Sequence, residues 1–310
     1  MAGKSRVSHI RPNKSAGKPY DLRSVGPRQN VLQIAPPRHL VRSSVASLQA
    51  EAPESHELIT QPLESPTGPG GASGFRNRAG SQIAIPAVSN VYLGPFWDDQ
   101  DHLEAFSKAI IENGYLDPLR QLNQGTGPGV YLGPVQGPTL APGDFLDSQA
   151  RQTVTDMLDQ GILHADANTL FMLILPSGVV SKFDDGAASC NSFCGYHDAF
   201  IYHGIDVAYA VMPSAECGGC GGGAIDAFTA TYSHEVAEAC TDKIPGKGWV
   251  ADDGSENGDL EAWILFPWGP PDEPKRFTVQ GYYTNELGNT IGAWRDSVAD
   301  VPASPPVSPA

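Results

Sequence analysis

The part of this sequence that most restricts the fold is the stretch AIDAFTATYSHEVAEACT at residues 224–241. Larger apolar side chains recur along it at the spacing of one helix face, at Ile225, Phe228, Tyr232 and Val236, and alanine fills much of the rest. Asp226 is suited to a cap or first-turn position, where the helix dipole favours negative charge. The pattern therefore predicts an α-helix over the whole stretch.

Three polar residues of this helix have the spacing of a metal site. His234 and Glu238 are four residues apart, so a helix places their side chains on one face, where both can bind one metal ion. Glu235 lies about 100° further round the helix and can reach a water on that ion. This is the arrangement of the H-E-x-x-H zinc motif with Glu in the second His position. The alternative is a surface helix with a solvated His–Glu face.

An acidic segment follows the helix and can complete such a site. It contains Asp252, Asp253, Glu256 and Asp259. A catalytic zinc site takes a third protein ligand and keeps one position open for water, and Glu256 or Asp259 can supply that ligand. The alternatives are an acidic surface turn and a Ca²⁺ loop, because Ca²⁺ prefers many oxygen ligands. The spacing does not fit an EF-hand loop.

The sequence around this helix predicts one α/β domain, residues 81–300, in which a sheet packs on helices and the HEVAE helix lines a cleft. Apolar periodicity predicts further helices at residues 101–113, 116–122 and 148–160. It predicts strands within residues 81–97 and at 130–135, 170–176 and 206–212, of which the fully apolar 170–176 suits a central strand.

Both ends of the chain have the composition of tails. Residues 1–80 contain eleven basic and five acidic side chains with little apolar periodicity, which predicts a disordered basic tail and linker; residues 301–310 form a second tail. The other 230 residues contain nine basic and thirty acidic side chains, so the acidic body argues against a nucleic-acid partner. No apolar run approaches the roughly 18 residues of a transmembrane segment.

All five cysteines fall between Cys190 and Cys240. Their spacing allows two disulfides that tie the loops beside the helix, a structural zinc knuckle, or free thiols, and we favour the disulfides. Cys240 lies within the predicted helix as a small buried apolar group. Disulfides would imply an oxidising compartment, although the N-terminal residues lack the apolar core of a secretory signal.

Five sequence segments, and their order along the chain, resemble those of the secreted bacterial and fungal proteins related to the plant exordium (phosphate-induced) family. In chain order they are CGYH (194–197), YAVMP (209–213), TATYSHEVAEACTD (229–242), ENGD (256–259) and VQGYYTN (279–285). The resemblance implies an extracellular protein with a zincin-like mixed sheet. It also implies that His234 and Glu238 are metal ligands, that Glu235 is the general base, and that Glu256 or Asp259 is the third ligand.

These observations predict a metal-dependent hydrolase, and a zinc metallopeptidase above all, with a peptide or protein substrate. A ligand set of one histidine and two carboxylates consists largely of hard oxygen donors, so Mn²⁺ and Ca²⁺ are alternatives to Zn²⁺. Tyr196, His197 or His203 is expected to stabilise the oxyanion, His197 from a cysteine-rich loop. The rivals are a non-catalytic, metal-binding extracellular module like the plant relatives, and a calcium-stabilised domain without chemistry.

Overall fold

The computed structural model describes residues 20–21, 74–96, 100–121, 128–214, 220, 224–272 and 277–296 of the 310-residue chain. The helices are α1 (Gln100–Glu112), α2 (Asp117–Gln121), α3 (Asp147–Asp159) and α4 (Ala224–Thr241), with a 3₁₀ turn at Asp259–Glu261. The strands are β1 (Tyr20–Asp21), β2 (Arg76–Asn77), β3 (Ala87–Tyr92), β4 (Val130–Gln136), β5 (Gly143–Leu146), β6 (Thr169–Ile174), β7 (Val179–Lys182), β8 (Tyr196–Tyr202), β9 (Ile205–Met212), β10 (Trp249–Val250), β11 (Ile264–Trp268), β12 (Phe277–Gln280), β13 (Tyr282–Thr284) and β14 (Gly288–Thr290).

A five-stranded mixed sheet forms the centre of the fold, in the order β4-β3-β6-β9-β8. Strands β4, β3, β6 and β9 are parallel, and β8 is an antiparallel edge strand paired with β9. Every residue of the middle strand β6 is buried, and all but Thr169 are apolar, as expected of a central strand. The predicted α/β class is therefore confirmed, and the central strand predicted at residues 170–176 is present as β6, which ends at Ile174.

Helices cover both faces of this sheet. Leu170, Met172 and Ile174 of β6 face one core, which also contains the apolar sides of α1 and α4. Phe171 and Leu173 face the opposite core, where α3 contributes its apolar side. Strands β11 and β12 add Trp268 and Val279 to the first core, so α4 lies between the central sheet and a smaller sheet. This position explains why α4 is apolar around most of its circumference.

The three long helices agree with the sequence predictions to within one residue at either end, and α1 and α3 each bury an apolar side, as their periodicity predicts. The strands outside the four predicted stretches were missed, namely β1, β2, β5, β7, β8 and β10 to β14. Among these, β8 is the one that joins the central sheet. His197 was expected in a loop, and that expectation is wrong, because it lies in β8. The β8 sequence YHDAFIY mixes polar and apolar residues, and only its pairing with β9 specifies a strand.

The predicted tails lie mostly outside the described residues. Two short segments of the predicted N-terminal tail are described, and both pair with the body: β1 with β11, and β2 with β10. Among the described residues, none of the helices combines the length and apolar character that crossing a bilayer requires.

Candidate metal centre

The three polar residues of the α4 motif face into the protein. His234 is 1% exposed, and Glu235 and Glu238 are 0% exposed. They lie where α4 meets the edge strand β8 on one side and the 251–259 loop with β12 on the other. The solvated surface helix is therefore excluded. Burying these groups is costly unless each is neutralised, paired or bound to a cation.

One group of candidate ligands consists of His234, Glu238 and Asp259, which offer ligand atoms within 4.8 Å of one another. Nε2 of His234 lies 3.2 Å from Oε2 of Glu238. The backbone N–H of Asp259 donates to Oε1 of Glu238 at 3.1 Å, which fixes the loop on the helix. Gly258 allows this approach, since a Cβ there would lie 2.7 Å from Nδ1 of His234 and 2.9 Å from Oε1 of Glu238.

A second group consists of His197, Glu238 and Glu256, so Glu238 belongs to both. Nε2 of His197 donates to the carbonyl of Asp242 at 3.0 Å, which leaves Nδ1 of the neutral ring as an acceptor. That Nδ1 lies 3.4 Å from Oε2 of Glu235 and 3.7 Å from Oε2 of Glu238. Oε1 of Glu256 lies 3.7 Å from Nε2 of His197. Glu256 and Asp259, which the sequence left as alternative third ligands, thus belong to different groups.

The residues fit a divalent cation. Nε2 of His234 and Oε1 of Glu235 are buried and make no hydrogen bond within the part of the chain that the structure describes. Buried polar atoms without such bonds are rare in proteins and point to a bound ion, a bound water or a catalytic role. Imidazole and carboxylate donors together suit Zn²⁺ or Mn²⁺, so the donor set agrees with the predicted cofactors without selecting one.

Burial governs the electrostatics of the centre. Desolvation raises the pKa of Glu235 well above its ordinary value, and the nearby charges of Glu238 and Asp259 raise it further. Burial is the largest single influence on the pKa of His234 and lowers it, but the combined effects of Glu238, Asp259 and Gln280 outweigh burial and raise the pKa overall. A divalent cation reverses such preferences, because its charge favours ionised carboxylates beside it.

Gln280 of β12 determines which nitrogen of His234 carries the proton. Its Oε1 accepts the backbone N–H of Trp263 at 3.1 Å, and its Nε2 donates to the carbonyl of Gly258 at 3.0 Å. The oriented amide therefore presents Nε2 to Nδ1 of His234, 2.7 Å away, and Nδ1 accepts. The ring proton then lies on Nε2 and points toward Glu238. A cation at Nε2 must displace that proton.

Gln280→Glu is expected to raise the affinity for Zn²⁺ about tenfold, since ligand-orienting partners of a metal site change affinity on this scale. The new carboxylate accepts a proton on Nδ1 of His234 and leaves the Nε2 lone pair to the cation. Competition with a chromophoric chelator measures the change. Gln152→Glu, on the exposed side of α3, is the control and leaves affinity unchanged. Equal or weaker binding by Gln280→Glu would contradict this account of the tautomer.

Other acids of the 252–259 segment lie apart from the centre. Asp252 forms ion pairs with Arg76 at 2.5 Å and Arg78 at 3.2 Å, and it is half exposed. Asp253 is exposed and accepts the backbone N–H of Ser255. The four acids therefore do not converge on one ion as a calcium loop requires.

Two of the three residues proposed for the oxyanion face elsewhere. The hydroxyl of Tyr196 donates to Asp147 of α3 at 3.0 Å, on the opposite face of the sheet from His197. Asp198 shares that face, where burial and the charge of Asp147 raise its pKa to about 7. His203 is exposed in the β8–β9 turn and stacks on Tyr202. His197 alone of the three contacts Glu235.

A disulfide between Cys194 and Cys220, with Cα atoms 5.8 Å apart, anchors the chain just before β8 to the segment before α4. Cys190 is also disulfide-bonded, and Cys240 in α4 is a buried thiol outside any disulfide, as predicted. Between the disulfide and β8, Gly195 passes so close to the helix that a Cβ would lie 3.1 Å from Oε1 of Glu235. The covalent link thus fixes the strand that carries His197 against the helix that carries Glu235.

Sequence reasoning missed the partners that arrange these ligands. Gln280 and the carbonyl of Asp242 orient His234 and His197, yet neither has a local sequence signal for that role. Comparison with known proteins does not supply the missing assignment: no family model, curated protein or solved structure matches this chain.

Proposed function

We propose that this protein is a metal-dependent hydrolase that cleaves peptide or protein substrates, with Zn²⁺ as the preferred cation and Mn²⁺ or Ca²⁺ as alternatives. The observation that carries the proposal is a pair of neighbouring buried groups on α4: the carboxyl of Glu235, and the imidazole of His234, whose Nε2 makes no hydrogen bond with described residues. A surface or packing role explains neither group, because each is costly to bury without a ligand.

In this proposal His234, Glu238 and Asp259 hold the cation. The cation, when bound, polarises the scissile carbonyl and lowers the pKa of a water. Glu235 takes a proton from that water and passes it to the leaving amine. His197, whose Nδ1 lies 3.4 Å from Oε2 of Glu235, positions that carboxyl group. The N–H of its neutral ring is engaged with the carbonyl of Asp242, so the oxyanion role expected from the sequence is not part of the proposal.

One observation favours the second candidate, a non-catalytic metal-binding module. His234, Glu235 and Glu238 are almost completely inaccessible to solvent. A small surface pocket lies one helical turn from Glu235, and Thr231, Cys194 and Cys220 are among its lining residues. Hydrolysis requires a substrate to pass from such a pocket to Glu235, whereas structural metal binding requires no access.

Secretion is part of the proposal, because disulfides persist in oxidising compartments. The Cys194–Cys220 bond supports an extracellular or periplasm-like environment. The resemblance to secreted exordium-related proteins, carried by the segments around α4, points the same way.

Incubation of the purified protein with an unfolded protein substrate tests the hydrolase proposal. We expect cleavage that 1,10-phenanthroline abolishes and that added Zn²⁺ or Mn²⁺ restores. The His234→Ala protein is the matched control for a contaminating peptidase and is expected to be inactive under every condition. If the protein binds metal but shows no chelator-sensitive cleavage with Zn²⁺, Mn²⁺ or Ca²⁺, hydrolysis is rejected in favour of the non-catalytic module.

A further inference from the structure

We propose that the centre binds two divalent cations, bridged by Glu238. This inference rests on the metal centre of the proposed function and does not depend on hydrolysis. One position uses His234, Glu238 and Asp259; the other uses His197, Glu238 and Glu256.

Oε2 of Glu238 lies between two imidazoles. It lies 3.2 Å from Nε2 of His234 and 3.7 Å from Nδ1 of His197. Within each group the ligand atoms lie within 4.8 Å of one another, but neither group contains both imidazoles. Two ligands of one Zn²⁺ are at most about 4.3 Å apart, given metal–ligand distances near 2.1 Å. One ion therefore cannot bind both imidazoles in this arrangement, and two ions on either side of the shared oxygen can.

His197 is oriented by the hydrogen bond of its other ring nitrogen. Because its Nε2–H donates to the carbonyl of Asp242, the lone pair of Nδ1 is directed toward carboxylate oxygens of Glu235 and Glu238. This nitrogen and the two carboxylate oxygens are all hydrogen-bond acceptors, so they repel one another unless a proton or a cation lies between them. A backbone carbonyl that receives the distal N–H is also the usual support of a metal-ligating imidazole. His197 thus has the orientation of a ligand.

Four carboxyl groups surround the two imidazoles: those of Glu235, Glu238 and Glu256 are buried, and that of Asp259 is half-buried. One divalent cation balances two ionised carboxylates, and two balance all four, which removes the cost of isolated buried charge. Two-cation centres of this kind hold their ions about 3.5–4 Å apart, a separation that one bridging carboxylate accommodates.

Each position has a different imidazole, so the two are separable by mutation. His197→Ala removes a ligand from one position, Asp259→Asn weakens the other, and Glu238→Gln affects both. Asp252→Asn, in the same loop but paired with Arg76 and Arg78, is the matched control.

The experiment counts cations in the full-length protein after chelator treatment and equilibrium dialysis against Zn²⁺, by elemental analysis. We expect two equivalents for the wild type and for Asp252→Asn, one for His197→Ala and for Asp259→Asn, and none held tightly by Glu238→Gln. With Mn²⁺, electron paramagnetic resonance of the wild type is expected to show exchange coupling between two ions, a signal that His197→Ala loses.

Saturation of the wild type at one equivalent, with an uncoupled Mn²⁺ spectrum, would overturn the inference. This result does not depend on whether any variant folds, because it is read on the wild type alone. The two proposals also fail separately: two bound cations without peptide cleavage reject only the hydrolase, and cleavage with a single cation rejects only the bridged pair.

Discussion

Glu235→Gln is expected to lower the rate of chelator-sensitive peptide cleavage by about 10²–10⁴-fold, the usual contribution of a general base. The amide has almost the same shape as the carboxylate but cannot accept the proton of the attacking water. Metal content is expected to stay at the wild-type value, because Glu235 belongs to neither group of candidate ligands. Rates with an unfolded protein substrate and elemental analysis of the same samples measure both quantities.

Glu112→Gln is the matched control for this substitution. Glu112 is also mostly buried, but it accepts the backbone N–H of Tyr131 and pairs with Lys108 at the end of α1. Its variant is expected to retain the wild-type rate within about twofold, since surface ion pairs contribute little. Full activity of Glu235→Gln would exclude the general-base role, and simultaneous loss of metal would make Glu235 a ligand instead.

Asp242→Ala is expected to lower the free energy of unfolding by about 3–5 kcal/mol, because hydrogen bonds to a charged acceptor contribute roughly 1.5–3 kcal/mol each. The buried carboxylate of Asp242 accepts the backbone N–H groups of Gly246 at 2.7 Å and Lys247 at 2.9 Å, and also that of Gly248. These bonds fold the turn that follows α4. Urea unfolding monitored by tryptophan fluorescence measures the loss.

Asp242→Asn separates hydrogen bonding from charge at this position. Its amide oxygen can still accept from Lys247 and Gly248, while its NH₂ faces the N–H of Gly246. We expect a loss intermediate between the wild type and Asp242→Ala. Equal stability of all three proteins would contradict the assigned role. Because the carbonyl of Asp242 orients His197, Asp242→Ala is also expected to weaken cation binding.

The sequence was sufficient to predict the elements that a pattern within one short segment specifies. The bounds of α4 and the shared face of His234 and Glu238 follow from helical periodicity within one segment. The central position of β6 follows from six consecutive apolar residues. In each case the information lies within a few residues of the feature.

The remaining members of the site depend on contacts that cross the chain. His197 lies 37 positions before His234, and its place at the centre depends on the register of β8 against β9. Gln280 lies 46 positions after His234, in a different sheet. Which of Glu256 and Asp259 accompanies His234 depends on how the loop closes over Gly258. Neither composition nor spacing encodes such long-range geometry.

Successive side chains of β8 lie on opposite faces of the sheet, and this restricts the insertions and deletions that homologues can carry. His197 faces α4, while its neighbours Tyr196 and Asp198 face Asp147 across the sheet. Loss or gain of a single codon within that strand would exchange the two sides and put a tyrosine or an aspartate where the imidazole belongs. Length changes should therefore accumulate in the exposed turn around His203, and these three positions should be inherited as a block.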